Sequence, residues 1–277
     1  MTPAAPPKAP PPPAAKATTN ASTATQPNSA KRFKVSPIAG NSGEAIVLYG
    51  TGGIGKTTLA SLAPGAVFLN LDNDQSKKGV NQIDGVETYQ DLRDALHESS
   101  LWSGVKTIVI DTATVGQGMA EADTILNVKH DKGARITSIE SYGYGKGYQY
   151  VLETFRLLLS DLDAHKREGR NVVLVCHCTT AYAPNPSGDD YLRYEPDLYQ
   201  PPKTGRIRDA VKNWCDHMLF IDYDKSVKDG KATGAGTRTI YCQELPHFWA
   251  KSRTLGNPIP YEKGSALLWD ELFKEAS

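Results

Sequence analysis

Gly50-Thr51-Gly52-Gly53-Ile54-Gly55-Lys56-Thr57 is the stretch that decides how this chain folds. Its spacing, Gly50-x4-Gly55-Lys56-Thr57, is the Walker A pattern of a phosphate-binding loop. A triphosphate needs several donors converging on it with no side chains in the way. Glycines let the backbone turn so that its N–H groups point inward. The helix that begins near Lys56 adds the positive end of its dipole. Lys56 supplies a mobile cation for the β- and γ-phosphates. The Thr57 hydroxyl is placed to ligate Mg²⁺, and Thr58 falls near the α-phosphate. The stretch predicts a site for ATP and Mg²⁺.

The surrounding pattern suits that loop. Ala45 to Tyr49 is a continuous apolar run that reads as a buried parallel strand. Thr57 to Ala63 reads as a short helix stopped by Pro64-Gly65. Further strands are expected at Val67–Leu71, Val105–Ile110, Val172–Cys176, His217–Tyr223 and Thr237–Gln243. Helices are expected at Thr88–Glu98, capped by Thr88 with Asp91 three residues on, and from Gly147 to about Lys166. Residues 179–206, rich in Pro, Gly, Asp and Tyr, read as a long loop or excursion. Alternating strands and helices point to an α/β fold whose mostly parallel central sheet is flanked by helices.

Two further polar groups are expected beside the loop. Asp111 ends an apolar strand, where a carboxylate that holds Mg²⁺ belongs. Asp72 and Asp74 follow the second strand, on the edge where ligands of open parallel sheets collect. Asp72 is the first candidate for polarising the attacking water and Asp74 the second. His177, at the end of the fourth strand, is placed to touch the γ-phosphate and report its loss. Cys176-His177-Cys178 and Cys215-Asp216-His217 contain zinc-type ligands, but their spacing is not that of a zinc knuckle.

Composition bounds the remaining choices. The chain has 277 residues, and Lys+Arg and Asp+Glu are both 31, so the net charge is zero. A polyanion would have to meet a local basic patch. No apolar run approaches the ~20 residues of a membrane span, so no membrane partner is expected. Four cysteines are too sparse for a disulfide scaffold, which fits a reducing cytoplasm. Nine of the 18 prolines fall in residues 1–37. Residues 1–40 read as a disordered Pro/Ala-rich tail ending in the basic cluster Lys31, Arg32 and Lys34, and 41–277 as the domain.

The order of these segments resembles the RecA-like P-loop ATPases over residues 44 to 265. It is most similar to the phage-encoded nucleotide-binding AAA family that includes core-only RecA-like single-strand annealing proteins. The resemblance is carried by Gly50–Thr58, Phe68–Asp72, Thr107–Thr112, Tyr144–Tyr148, Val172–His177 and Ala250–Arg253. It implies that Asp72 occupies the place of a catalytic glutamate, one methylene short, and that His177 occupies a sensor position. It implies that residues 178–206 form a mobile DNA-binding loop. It also implies that Lys251 and Arg253 reach the ATP of a neighbouring subunit, so that a homo-oligomer holds ATP at its interfaces. The setting it implies is the host cytoplasm, in phage recombination or replication.

Single-stranded DNA needs cations and aromatic platforms. Tyr142, Tyr144, Lys146 and Tyr148 form one candidate segment. Tyr182, Tyr191, Arg193, Tyr194, Tyr199, Lys203, Arg206 and Arg208 form the other. Asp189, Asp190, Glu195 and Asp197 oppose phosphates there. Two functions stay open: an ATPase that acts on single-stranded DNA, and a nucleotide-switched protein-interaction or loader module without DNA binding.

Overall fold

Residues 45–50, AIVLYG, are buried without exception, as a strand covered on both faces requires. In the computed structural model this strand, β1 (Ala45–Gly50), lies inside an eight-stranded sheet. The structure describes residues 42–72, 79–130, 133–228, 231–234 and 236–274. They belong to one unit, Gly40–Ser277. The expected tail, with its cluster Lys31, Arg32 and Lys34, lies outside the described residues, as does Asp74.

From β1 the chain continues through α1 (Lys56–Ser61), β2 (Ala66–Asn70), β3 (Gln82–Ile83) and α2 (Tyr89–His97). Next come β4 (Thr107–Asp111), α3 (Ala113–Asn127), α4 (Lys146–Arg167) and β5 (Asn171–Cys176). The hairpin β6 (Cys178–Ala183) and β7 (Tyr191–Pro196) leads to α5 (Ile207–Trp214) and β8 (His217–Tyr223). A small ribbon, β9 (Ser226–Lys228) and β10 (Lys231–Thr233), precedes β11 (Arg238–Tyr241), β12 (Ile259–Pro260) and α6 (Leu267–Leu272).

The strand order is β12-β11-β8-β1-β5-β4-β2-β3. From β8 to β3 neighbouring strands are parallel, while β11 and β12 are antiparallel additions at one edge. This is the mostly parallel α/β sheet, flanked by helices, that the sequence implies. β1 carries the glycine-rich loop near the middle, and β5 separates it from β4, which ends in Asp111. Alternate residues of β1 serve two cores, because successive side chains of a strand point to opposite faces. Ala45, Val47 and Tyr49 pack with Phe155 and Leu162 of α4, and Ile46 and Leu48 pack with Leu59 of α1 and Trp269 of α6. Among the described residues, no helix is long and apolar enough to cross a membrane.

The expected capping box at α2 is present. The Thr88 side chain accepts from Asp91 N, and Thr88 N donates to Asp91 Oδ2 at 2.8 Å. Helix α3 was not expected. Its sequence, ATVGQGMAEADTILN, carries two glycines and no clean apolar stripe, and its start is fixed by the Thr112 hydroxyl accepting from Val115 N. The long loop expected at 179–206 is corrected as well. Most of it is the β6–β7 hairpin, paired from Cys178↔Pro196 to Ala183↔Tyr191. Its strand signal is spread over Thr and Tyr on two short arms, around a Pro-Asn-Pro-Ser-Gly-Asp-Asp turn that dominates the local composition.

Candidate functional site

The loop leaves β1 at Gly50, where a side chain cannot fit: a Cβ there would lie 2.2 Å from the Ile221 carbonyl oxygen of β8. Gly55 has φ 104°, a left-handed conformation that favours glycine, and it is the N-cap of α1. Ile54, between them, is fully buried and anchors the loop in the core beneath α1. Gly52 and Gly53 stand exposed at the tip, after the half-buried Thr51. The eight residues thus form a tight turn, anchored by Ile54, with an exposed backbone at its tip.

Lys56 folds back over this turn. Its Nζ donates to the Gly50 carbonyl at 2.8 Å and to the Thr51 carbonyl at 3.0 Å. Burial lowers its pKa from the ordinary lysine value, because a cation removed from water is disfavoured. An incoming phosphate oxygen offers the ammonium a better partner than two neutral carbonyls. Thr57 donates to Asp111 Oδ2 at 2.8 Å, and Asp111 is buried. One hydroxyl and one carboxylate, held together at the end of the cleft, are the hard oxygen donors that Mg²⁺ takes. Thr57 and Asp111 therefore fit the metal expected there. Thr58 lines the same cleft.

The other expected residues fall into two groups. Asp72 lies two residues beyond β2, whose Asn70 is paired with Asp111, and Leu71 N donates to the Asp111 carbonyl at 2.8 Å. Asp72 therefore stands, exposed, on the Asp111 flank of the cleft. His177 follows Cys176, the partner of Tyr49 in β1, so its backbone emerges beside the loop. Its N–H donates to Thr114 Oγ1 at 3.1 Å and its carbonyl accepts from Asp197 N at 2.9 Å. That residue ties the start of α3 to the base of the hairpin.

Lys251 and Arg253 are not brought to this cleft. The Lys251 backbone pairs with Met218, and Arg253 forms an ion pair of 3.0 Å with Asp216. Asp216 also accepts from Ala45 N at 2.9 Å and Lys166 Nζ at 2.8 Å. Ala45 opens β1 and Gly50 closes it, so Arg253 sits at the opposite end of the sheet, about 17 Å away at ~3.3 Å per residue, while the Lys251 backbone, paired with Met218 level with Val47, lies about 10 Å back along the strands. Within one chain they do not reach the phosphates.

Two cations that the sequence reading missed do line the cleft. Residues 53 and 55–58, with Arg238 and Lys263, enclose about 270 Å³. Arg238 donates to the Ile54 carbonyl at 3.0 Å, and Tyr261 donates to the Gly55 carbonyl at 2.8 Å. No local pattern marks them, because β11 and the segment after β12 reach the loop only through the antiparallel edge of the sheet.

Of the aromatic and basic candidates for DNA, several are structural. Tyr142 is buried and donates to the Thr124 and Val128 carbonyls. Tyr194 stacks on Phe220 with centroids 5.3 Å apart. Tyr148 packs edge-on to Tyr199, which donates to Glu121. Arg193 and Arg208 both donate to Glu195, which is 3% exposed, and Arg206 pairs with Asp209 at 2.9 Å. Tyr144, Tyr182 and Lys203 remain exposed.

The family model described as an AAA domain matches residues 42–254. No curated protein matches the chain. Among solved structures the chain is similar to a KaiC-like protein from the hyperthermophilic archaeon Pyrococcus horikoshii OT3. The identity is 13%, the alignment covers 80% of this chain and 86% of that one, and the TM-score is 0.41.

Proposed function

Because the chain belongs to the AAA domain family, with the P-loop fold that serves nucleotide binding, we propose that it binds ATP with Mg²⁺ and hydrolyses it. The observation that carries this reading is the bond from Thr57 to Asp111, which sets two metal-type oxygens beside the Lys56 ammonium. Mg²⁺ would neutralise phosphate charge that builds up as the terminal group leaves. Lys56 moves from the Gly50 and Thr51 carbonyls to the phosphate oxygens and holds them. Asp72, on the Asp111 flank, orients the attacking water and accepts its proton. His177 senses the terminal phosphate and passes its loss to α3 and the hairpin through Thr114 and Asp197.

The test is calorimetry and turnover with MgATP on wild type and Lys56→Ala. Wild type binds and hydrolyses; the variant keeps its circular dichroism and loses hydrolysis. A wild-type chain that gives no heat with MgATP would remove the reading.

The action on single-stranded DNA is part of the proposal, supported by Tyr182, 72% exposed on the hairpin, and by Tyr144, fully exposed before α4. Base stacking needs such unencumbered rings. The resemblance in sequence supplies the setting, phage recombination or replication, and an oligomer in which Lys251 and Arg253 act on a neighbour's nucleotide. A second reading, a nucleotide-switched protein-interaction module, is favoured by the capture of Arg193 and Arg208 by Glu195, which withdraws two cations from any phosphate backbone. ATPase turnover with and without single-stranded DNA separates the two.

A further inference from the structure

The cleft has a flank that neither the loop motif nor the metal pair accounts for. Asp111 and His177 approach from the β5 and β4 side of β1. Arg238 and Lys263 approach from the other side, where β8 and β11 lie. Arg238 opens β11 directly opposite Tyr223, two residues beyond Ile221, the partner of Gly50. It therefore overhangs the loop. Its guanidinium lies between two rings, with centroids 5.4 Å away at Tyr223 and 5.7 Å away at Tyr261. Tyr261 is itself buried and bonded to Gly55. Stacking on ring faces holds a guanidinium in place without neutralising it.

Among the described residues, the Arg238 guanidinium makes one hydrogen bond, from a single nitrogen to the Ile54 carbonyl, whereas the group carries five N–H donors. Arg238 lines the cleft, and on this side of it, away from Asp111, the lining of residues 53 and 55–58 with Arg238 and Lys263 includes no acid. Lys263, exposed at the rim, adds a second positive charge. A braced cation beside a backbone cradle, with an exposed one at its mouth, is a subsite for an anionic group.

Which part of the nucleotide meets it follows from the two flanks. Mg²⁺ held by Thr57 and Asp111 would draw the terminal phosphate toward β4, so the nucleoside end extends toward β11. We propose that Arg238 and Lys263 form a subsite, in the same chain, for the α-phosphate end of the nucleoside triphosphate. This rests on the ATPase reading and adds to it the residues that hold the nucleoside side of the ligand. Tyr223, 37% exposed, continues the subsite outward as an aromatic face.

The experiment is calorimetric titration of wild type, Arg238→Gln and Lys263→Gln with MgATP and with MgADP. ATP and ADP share the α-phosphate, so both should weaken alike: roughly tenfold for Arg238→Gln, as for loss of a charge-assisted hydrogen bond, and about two- to fivefold for the exposed Lys263→Gln. Loss confined to ATP would move Arg238 to the terminal phosphate and overturn the proposal, as would unchanged affinity in both variants. If Arg238→Gln loosens the loop it braces, Lys263→Gln, whose side chain lies at the rim, decides. A wild-type chain that takes up neither nucleotide removes the ATPase reading itself, which sets that failure apart from a wild type that binds and variants that bind equally well.

Discussion

Thr57 Oγ1 donates to Asp111 Oδ2 across 2.8 Å, which joins the first turn of α1 to the last residue of β4. Asp111→Asn keeps the size of the side chain and an acceptor for Thr57 while removing the negative charge. Turnover should fall by about 10²–10³, the range seen when one preorganised electrostatic group is removed. The melting temperature should move little. Steady-state ATPase assays beside a thermal melt check this; turnover within a few-fold of wild type would take Asp111 out of the site.

Arg253 lies at the far end of β1, paired with Asp216. If it serves a neighbour's nucleotide, Arg253→Ala and Lys56→Ala should each be inactive alone and regain hydrolysis when mixed. The mixture creates interfaces with an intact loop on one side and an intact arginine on the other. Mixing experiments at equal protein concentration check this. No regain, with both variants folded and able to associate, would confine Arg253 to its ion pair.

Glu195 is buried against Arg193 and Arg208. Glu195→Gln leaves two guanidinium groups facing a neutral amide. Breaking a buried ion pair by altering one partner costs about 3–5 kcal/mol, so urea unfolding should show a loss of about 3 kcal/mol. Arg208→Ala should lower stability similarly and leave the salt dependence of any DNA binding unchanged.

Tyr182 stands opposite Leu192 on the hairpin, and both are exposed. Tyr182→Ala should weaken single-stranded DNA binding by about 1–3 kcal/mol, the worth of one stacked base, and leave ATP binding as it is. Fluorescence anisotropy with a labelled oligonucleotide measures this. Equal affinity in variant and wild type would favour the protein-interaction reading.

His165 is buried, with Nε2 beside the Leu96 carbonyl at 2.8 Å and its ring edge-on to Trp102. Burial lowers its pKa from 6.5, so the folded chain disfavours the charged ring. As pH falls below about 6.5 the unfolded chain takes up the proton first. The stability contributed by the neutral ring is therefore present above that pH and is lost as the pH falls through the depressed folded value. The melting temperature of wild type should drop between pH 7.5 and 5.5, and His165→Gln should flatten that drop. An identical slope in both proteins would show that His165 does not carry it.

The sequence alone determined the loop, its strand and its helix, because their geometry is dictated by contiguous residues: glycines where φ must be positive, an apolar run before them, and Lys56 and Thr57 at fixed spacing. It also placed Asp111, since a strand that ends in a carboxylate beside a P-loop leaves few alternatives, and it placed the Thr88–Asp91 cap. The tertiary structure alone decided which distant cations meet the cleft. Arg238 and Lys263 arrive there through strand pairing across nearly 200 residues of chain, while Lys251 and Arg253, also basic, are held away from it, Arg253 at the opposite end of the sheet. It likewise decided that Arg193 and Arg208 neutralise a buried glutamate. Charge and aromaticity are legible in a one-dimensional string, but whether a side chain faces ligand, solvent or a buried partner is set by long-range packing that no local spacing encodes.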